Sequence, residues 1–379
     1  MLRPPAAVPP AAREARRHHA RRRSAAKFGK DLSIEDVEID PPGAGEIEVR
    51  LAACAICHSD IIYADGGWGG TLPAVYGHEA AGVVASVGPG VAGCRPGDHV
   101  VVTLIRSCGR CPACAQGAPV TCETRFPLDQ RSPLRDAAGK PLVQGLRTAA
   151  FAERVVVDAS QAVVIPRDIP LDAAALLACG VITGFGAVTN TAALRPGATA
   201  VVIGAGGVGL NTVQGAAISG ARTVIALDVV DSKLEAARRF GATHALRADA
   251  ADLRDEVRRL TDGRGADYVF VSVGARAAIA QSFGLAARSG AVVLVGIPAS
   301  DVMVEIDPGT IASDNQRILG SKMGGAHIQA DIPNLVSLYR QGRLKLDELI
   351  SGRFPLEGIN EAIADVKRGA ALRNVVTFG

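Results

Sequence analysis

Apolar and polar positions change their rhythm along this chain. From Ile34 to about Val164, short β-branched runs such as Glu46–Leu51, Gly82–Val87 and His99–Thr103 are divided by Gly and Pro turns, which predicts a compact β-rich domain. Near Leu171 the pattern becomes Ala-rich and helical. From Ala198 onward strand-like and helix-like segments alternate, as they do in the βαβ units of a parallel sheet. The pattern predicts strands at Thr199–Ile203, Thr223–Leu227, Tyr268–Val271 and Ala291–Val295, with helices at about Val208–Ser219, Ser232–Phe240, Leu253–Leu260 and Ala275–Arg288. A further helix is expected at roughly Ile332–Gln341, and the apolar run Asn374–Phe378 is expected to return to the first domain.

Composition narrows the function classes. With 379 residues and 48% hydrophobic content, the chain can bury a large core in two domains, and a cleft between domains is where ligands tend to sit. No stretch approaches the roughly 18 consecutive apolar residues of a membrane helix, so no membrane association is expected. The net charge of +3 hides an asymmetry: residues 1–30 carry nine Lys or Arg against Glu14, a local +8 that leaves the remainder at −5. A mildly acidic body argues against nucleic-acid binding. The tail from Met1 to about Lys30, rich in Arg, Pro and Ala and lacking hydrophobic periodicity, is expected to be disordered. A start site placed too far upstream accounts for it better than a transit peptide does.

The strand Thr199–Ile203 runs into Gly204-Ala205-Gly206-Gly207-Val208-Gly209, which opens a helix, and the next strand ends on Asp228. Strand, glycine triad, helix, strand and acidic residue in this order form a dinucleotide-binding fingerprint. Gly204 permits the tight turn, Gly206 lets the backbone approach a pyrophosphate, and Gly209 lets the helix pack closely on the sheet. Asp228, 19 residues beyond Gly209, is expected to accept hydrogen bonds from the adenosine ribose and to repel a 2′-phosphate, so NAD is favoured over NADP.

Cys108-x2-Cys111-x2-Cys114-x7-Cys122 places four thiols within fifteen residues, a set that suits tetrahedral zinc with no open position. A pair of disulfides is the competing reading, disfavoured because the absence of a signal peptide implies a reducing, cytoplasmic setting; an iron–sulfur cluster is a lesser one. Cys57, His78 and Cys179 are dispersed, and each alone reads as an ordinary packing residue.

Together with the two motifs, these residues resemble the zinc-dependent medium-chain alcohol dehydrogenases over roughly Gly29 to Gly379. The resemblance implies an α/β chain: a β-rich, GroES-like catalytic domain from residues 31–178 and 325–379, with a zinc lobe at 108–122, around an inserted doubly wound Rossmann domain at 179–324. It implies two zincs per subunit. Cys57, His78 and Cys179 would hold the catalytic one, with a fourth position left for the substrate oxygen, and Cys108, Cys111, Cys114 and Cys122 the structural one. Ser59 would take the alcohol proton, Asp60 would brace the His78 imidazole, and Glu79 would lie behind the metal. Gly207 and Val208 belong to the phosphate turn, Thr183 would contact the nicotinamide, His58 and Arg373 the pyrophosphate, and Lys233 would join Asp228 at the ribose. A small alcohol or hemiacetal substrate, an aldehyde or ketone product, and a homodimer or homotetramer follow from the same resemblance.

The chain departs from that pattern at three points. Many members end a proton relay on a His five residues after the first zinc Cys, where this chain has Ile62. The first strand expected near the N-terminus is replaced by Arg-Arg-Arg-Ser-Ala-Ala, which points to a wrong start or a divergent edge. Cys57-His58-Ser59 without a relay His is also similar to the thiol-adduct formaldehyde dehydrogenases, an alternative that leaves Arg125 to attract an acidic thiol; the run Asp65–Gly70 does not fit it. From other classes, a zinc-free reductase would leave Cys57, His78 and Cys179 without a purpose, and a non-catalytic zinc- and nucleotide-binding protein would use the basic tail to bind a partner.

Overall fold

The computed structural model describes residues 27–379, together with the backbone of residues 18–25. In a six-stranded parallel sheet the strands lie in the order His244–Arg247, Thr223–Asp228, Thr199–Ile203, Ala266–Val271, Ala286–Leu294, Arg317–Gly320. That is the doubly wound order, whose reversal beside the first strand opens a ligand crevice at the carboxyl ends. Thr199–Ile203 is buried along its whole length, which is why it reads as an unbroken apolar run rather than as an alternation.

A second, seven-stranded sheet is built from both halves of the chain. Glu46–Ala55 pairs with Glu79–Val87 on one side and, in different stretches, with Arg154–Asp158 and Arg373–Thr377. The returning run Arg373–Thr377 lies antiparallel to Glu46–Ala55 and parallel to Ile350–Pro355. One apolar core joins this sheet to the parallel one: it runs from Ala53, Ala81 and Val101 through Ala173–Ala178 to Ala200 and Val202. The segment that carries Cys179 therefore sits on packed material from both sheets.

Two expectations need correction. Residues 18–25 are not disordered: their backbone forms a strand paired antiparallel with Ser33–Ile39 and with Ala74–Val75, in a five-stranded sheet. Backbone hydrogen bonds to neighbours on both sides hold such a strand, and hydrophobic periodicity does not report them. Residues 1–17 lie outside the described residues. The helix expected over Ala275–Arg288 spans Arg276–Leu285, and Ala286 already belongs to the next strand, where it pairs with Ala266. Among the described residues, no single helix is long and apolar enough to cross a membrane.

Candidate active site

Three loop-to-helix or loop-to-strand junctions converge in the core. Cys57 is the N-cap of the helix His58–Ala64, His78 immediately precedes the strand Glu79–Val87, and Cys179 is the N-cap of the helix Gly180–Gly186. All three are buried, and their donor atoms, with a Glu79 carboxylate oxygen, lie within 4.8 Å of one another. His78 Nδ1 lies 3.0 Å from Asp60 Oδ1, which also accepts from the Gly77 amide at 2.9 Å; the other Asp60 oxygen faces the Cys57 amide at 3.4 Å. Donation to Asp60 fixes the imidazole tautomer and turns the Nε2 lone pair inward. Nε2 is buried with no hydrogen-bond partner among the described residues.

The electrostatics match that geometry. The Cys179 hydrogen bond and His78 push the Cys57 thiol well down against the effect of burial. Burial opposes protonation of His78, yet Asp60 and Cys57 outweigh it and raise its pKa. A pocket that favours a thiolate and a positive charge at Nε2 fits a divalent cation with sulfur and nitrogen ligands, and zinc in particular.

Glu79 stands behind this set. Burial pushes its carboxyl up to about 8, and Arg373 opposes the shift by donating to Oε1 at 2.7 Å. Arg373 also donates to the Ile56 carbonyl at 3.0 Å; burial disfavours its charge, but Glu79 and the thiols more than offset that and raise its pKa. Its guanidinium lies so close to Gly180 and Gly207 that a Cβ at either would fall 2.0 Å or 2.7 Å from it. Arg373 therefore links the thiol cluster to the start of the helix Gly207–Ile218.

That helix begins at the glycine loop. Gly204 adopts φ +92°, and a Cβ at Gly209 would fall 1.7 Å from the Gly204 carbonyl oxygen, so both positions require glycine. No atom lies within 4 Å of the Cβ position of Gly206, which leaves that face of the loop open to a phosphate beside the helix N-terminus. Asp228 accepts from the Ala205 amide at 2.7 Å and from the Val230 amide at 3.0 Å, so it braces the glycine loop and retains acceptor capacity for a ribose. The His58 side chain keeps some exposure, but partial desolvation, together with Arg373 and Lys233, holds its pKa below the usual value, with Cys57 opposing. Lys233, at the start of the helix Asp231–Arg239, also approaches Gly369. Thr183 is buried one helical turn after Cys179, its hydroxyl 3.9 Å from that sulfur. Ser59 is half-buried beside Cys57.

The second thiol set is local. Sulfurs of Cys108, Cys111, Cys114 and Cys122 lie within 4.8 Å of one another, and none of the eight cysteines is in a disulfide. Amides of Cys111 and Arg110 point at Cys108 Sγ at 3.2 and 3.4 Å; with a Thr124 hydrogen bond as the leading cause, they bring this thiol down to about 6. Four thiols, one of them already favouring the thiolate, suit a closed tetrahedral zinc site.

Several side chains at these sites carry no sequence signal. Met323 places its sulfur 3.8 Å from Cys179, across 144 residues. Trp68 donates to the Pro298 carbonyl at 3.0 Å, which ties its Gly-rich loop to the segment after the strand Ala286–Leu294. Arg106, fully buried just before the thiol lobe, bonds Gln161, Asp129 and the Arg147 carbonyl.

Comparisons with known proteins agree with this architecture. Residues 43–167 match the alcohol dehydrogenase GroES-like domain, and residues 207–341 the zinc-binding dehydrogenase domain. An NDMA-dependent alcohol dehydrogenase from Amycolatopsis methanolica is 36% identical over 92% of this chain and 96% of its own length. A probable S-(hydroxymethyl)glutathione dehydrogenase from Schizosaccharomyces pombe is 36% identical over 91% and 93%. The solved structure of an alcohol dehydrogenase zinc-binding domain protein from Burkholderia ambifaria has a TM-score of 0.91 at 37% identity, covering 96% of this chain and 99% of that one. With a doubly wound sheet, a β-rich GroES-like partner and relatives of this similarity along most of its length, the chain belongs to the zinc-dependent medium-chain alcohol dehydrogenase family.

Proposed function

We propose that this protein is an NAD-linked alcohol dehydrogenase that oxidises a small alcohol to an aldehyde or ketone with two zincs per subunit. The buried, partnerless His78 Nε2 between two thiols supports the catalytic ion most directly. Cys57, His78 and Cys179 hold that ion, and Cys108, Cys111, Cys114 and Cys122 hold the structural one. When bound, zinc would supply Lewis acidity toward the substrate oxygen, and NAD would supply hydride-accepting chemistry.

The chain's own groups do the rest. Asp60 keeps the His78 lone pair facing the metal. Ser59 would accept the alcohol proton while releasing its own hydroxyl proton toward water, since Ile62, in place of a relay histidine, offers no base. Glu79 holds Arg373, which with His58 reaches the pyrophosphate over Gly204, Gly206, Gly207, Val208 and Gly209. Asp228 and Lys233 bind the adenosine ribose, and Thr183 contacts the nicotinamide. Residues 31–178 and 325–379 form the catalytic domain, and residues 179–324 the coenzyme domain. A cytoplasmic homo-oligomer completes the reading, supported by exposed Met303, Ile306 and Ile318 at and near the edge strand Arg317–Gly320.

Elemental analysis paired with NAD reduction across primary, secondary, aromatic and thiol-adduct alcohols tests the proposal. Two zincs per chain with turnover are expected, and the best substrate separates simple alcohols from thiol adducts. One zinc and no turnover would sink the reading. Replacing Asp228 with alanine is expected to shift the NAD:NADP preference by roughly tenfold or more, the worth of one charge-assisted hydrogen bond at about 1.5–3 kcal/mol. An unchanged ratio would remove Asp228 from the ribose.

A further inference from the structure

A second concave site lies on the opposite edge of the parallel sheet. The glycine loop follows the carboxyl end of Thr199–Ile203, whereas a cavity of about 640 Å³ opens near the amino ends of Ala266–Val271, Ala286–Leu294 and Arg317–Gly320. Four arginines line it, Arg254, Arg258, Arg264 and Arg288, against Asp307 and Asp314.

Both carboxylates are already engaged. Asp307 caps its own helix, accepting from the amides of Gly309 and Thr310 at 2.9 and 3.2 Å and from the Thr310 hydroxyl at 2.6 Å. Asp314 faces Arg288 at 3.3 Å. Arg264 reaches Asp267 only at 3.7 Å, and that carboxylate is bonded to Thr199 at 2.8 and 2.9 Å. The guanidinium groups of Arg254 and Arg258 have no partner among the described residues.

These two arginines sit on the helix Leu253–Leu260 at i and i+4, where like charges are neighbours and repel by about 0.2–0.5 kcal/mol. Arg254 lies in the first turn, at the positive end of the helix dipole, followed there by Asp255 and Glu256, and both arginines are exposed. The helix carries this unfavourable arrangement on the wall of a cavity whose size falls within the usual range for small-molecule sites. The cavity is also lined by Gln316, whose Nε2 donates to the Ala286 carbonyl at 3.4 Å, and by the half-buried ring of Phe283.

We propose that this cavity binds a small multivalent oxyanion, a compound carrying a diphosphate or several carboxylates. Arg254 and Arg258 clasp the anionic groups in the bidentate manner guanidinium groups favour, and Phe283 covers the body of the ligand.

Isothermal titration of the zinc-loaded full chain tests this, with inorganic pyrophosphate and citrate as separate arms at constant ionic strength. One saturable site is expected in at least one arm, and the stronger arm tells phosphate from carboxylate ligands. The double variant Arg254→Gln/Arg258→Gln is expected to bind at least tenfold more weakly with alcohol turnover unchanged. Arg288→Gln, which leaves the helix untouched, is expected to weaken binding in the same direction. Equal binding by wild type and variants would place the anion elsewhere, such as the coenzyme phosphate groove, and overturn the proposal. Absence of binding by both anions at millimolar concentration would overturn it as well.

Discussion

Serine in place of Cys57 is expected to leave one zinc per chain instead of two and to lower kcat/KM by more than about a hundredfold, the upper end of what losing a ligand's hydrogen-bond partner alone costs. The side chain is buried, and its thiol is the one the pocket drives toward the thiolate. A hydroxyl there is a poor zinc ligand at neutral pH, and it would leave His78 and Cys179 as an incomplete pair. The thiol lobe at residues 108–122 shares no ligand with this cluster, so its zinc should remain. Elemental analysis and initial rates across a range of alcohol concentrations read the result. A variant that keeps both zincs and its activity would exclude Cys57 from the metal site.

Alanine at Arg106 is expected to cost about 3–5 kcal/mol of unfolding free energy, the range for breaking a buried charge pair by removing one partner. The guanidinium is inaccessible to solvent. Nε donates to Gln161 at 2.8 Å, one terminal nitrogen to Asp129 at 3.0 Å and the other to the Arg147 carbonyl at 3.1 Å, and the group lies 5.7 Å from the centre of the Phe126 ring. Burial pushes its pKa down while Asp129 opposes the shift, so the charge is held by its partners. Truncation would remove one donor each from Asp129, Gln161 and the Arg147 carbonyl, which keep the Phe126 amide, the Asp158 amide and the Gln161 side-chain amide, and would open a void between them. These contacts anchor the residues just before and just after the thiol lobe. Urea denaturation of zinc-loaded protein measures the loss, and a change below about 1 kcal/mol would show that the lobe does not depend on this anchor.

How much of this was readable in advance depended on the range of the interactions. Thr199–Ile203 and Leu253–Leu260 have the bounds expected from sequence because their patterning is local: an unbroken apolar run for a strand buried on both faces, and amphipathic spacing for the helix. The thiol lobe was legible for the same reason. The helical pattern over Ala275–Arg288 overruns the helix because Ala-rich sequence does not carry the point at which a chain leaves a helix to pair with a neighbouring strand. The strand at residues 18–25 is not legible because its support comes from backbone pairing, mostly with the next strand Ser33–Ile39, and its residues carry no apolar alternation. Spacing alone could not unite Cys57, His78 and Cys179, which became a group only through the family resemblance. The Arg373 to Glu79 pair spans 294 residues, and nothing periodic in the chain announces it.

The reach of Arg373 also imposes an order on synthesis. Its guanidinium meets the Ile56 carbonyl across 317 residues, and its strand completes the sheet beside Glu46–Ala55. At roughly 5–20 residues per second, the segment around Cys57 is made about a quarter of a minute to a minute before its partner leaves the ribosome. Throughout that interval the Glu46–Ala55 strand lacks a neighbour along part of one edge, and Glu79 lacks its counter-charge. The thiol lobe, whose four sulfurs emerge within fifteen residues, can close at once. The local thiol cluster can therefore close early, whereas the Cys57, His78 and Cys179 cluster gains its Glu79–Arg373 pair only after nearly the whole chain has been made.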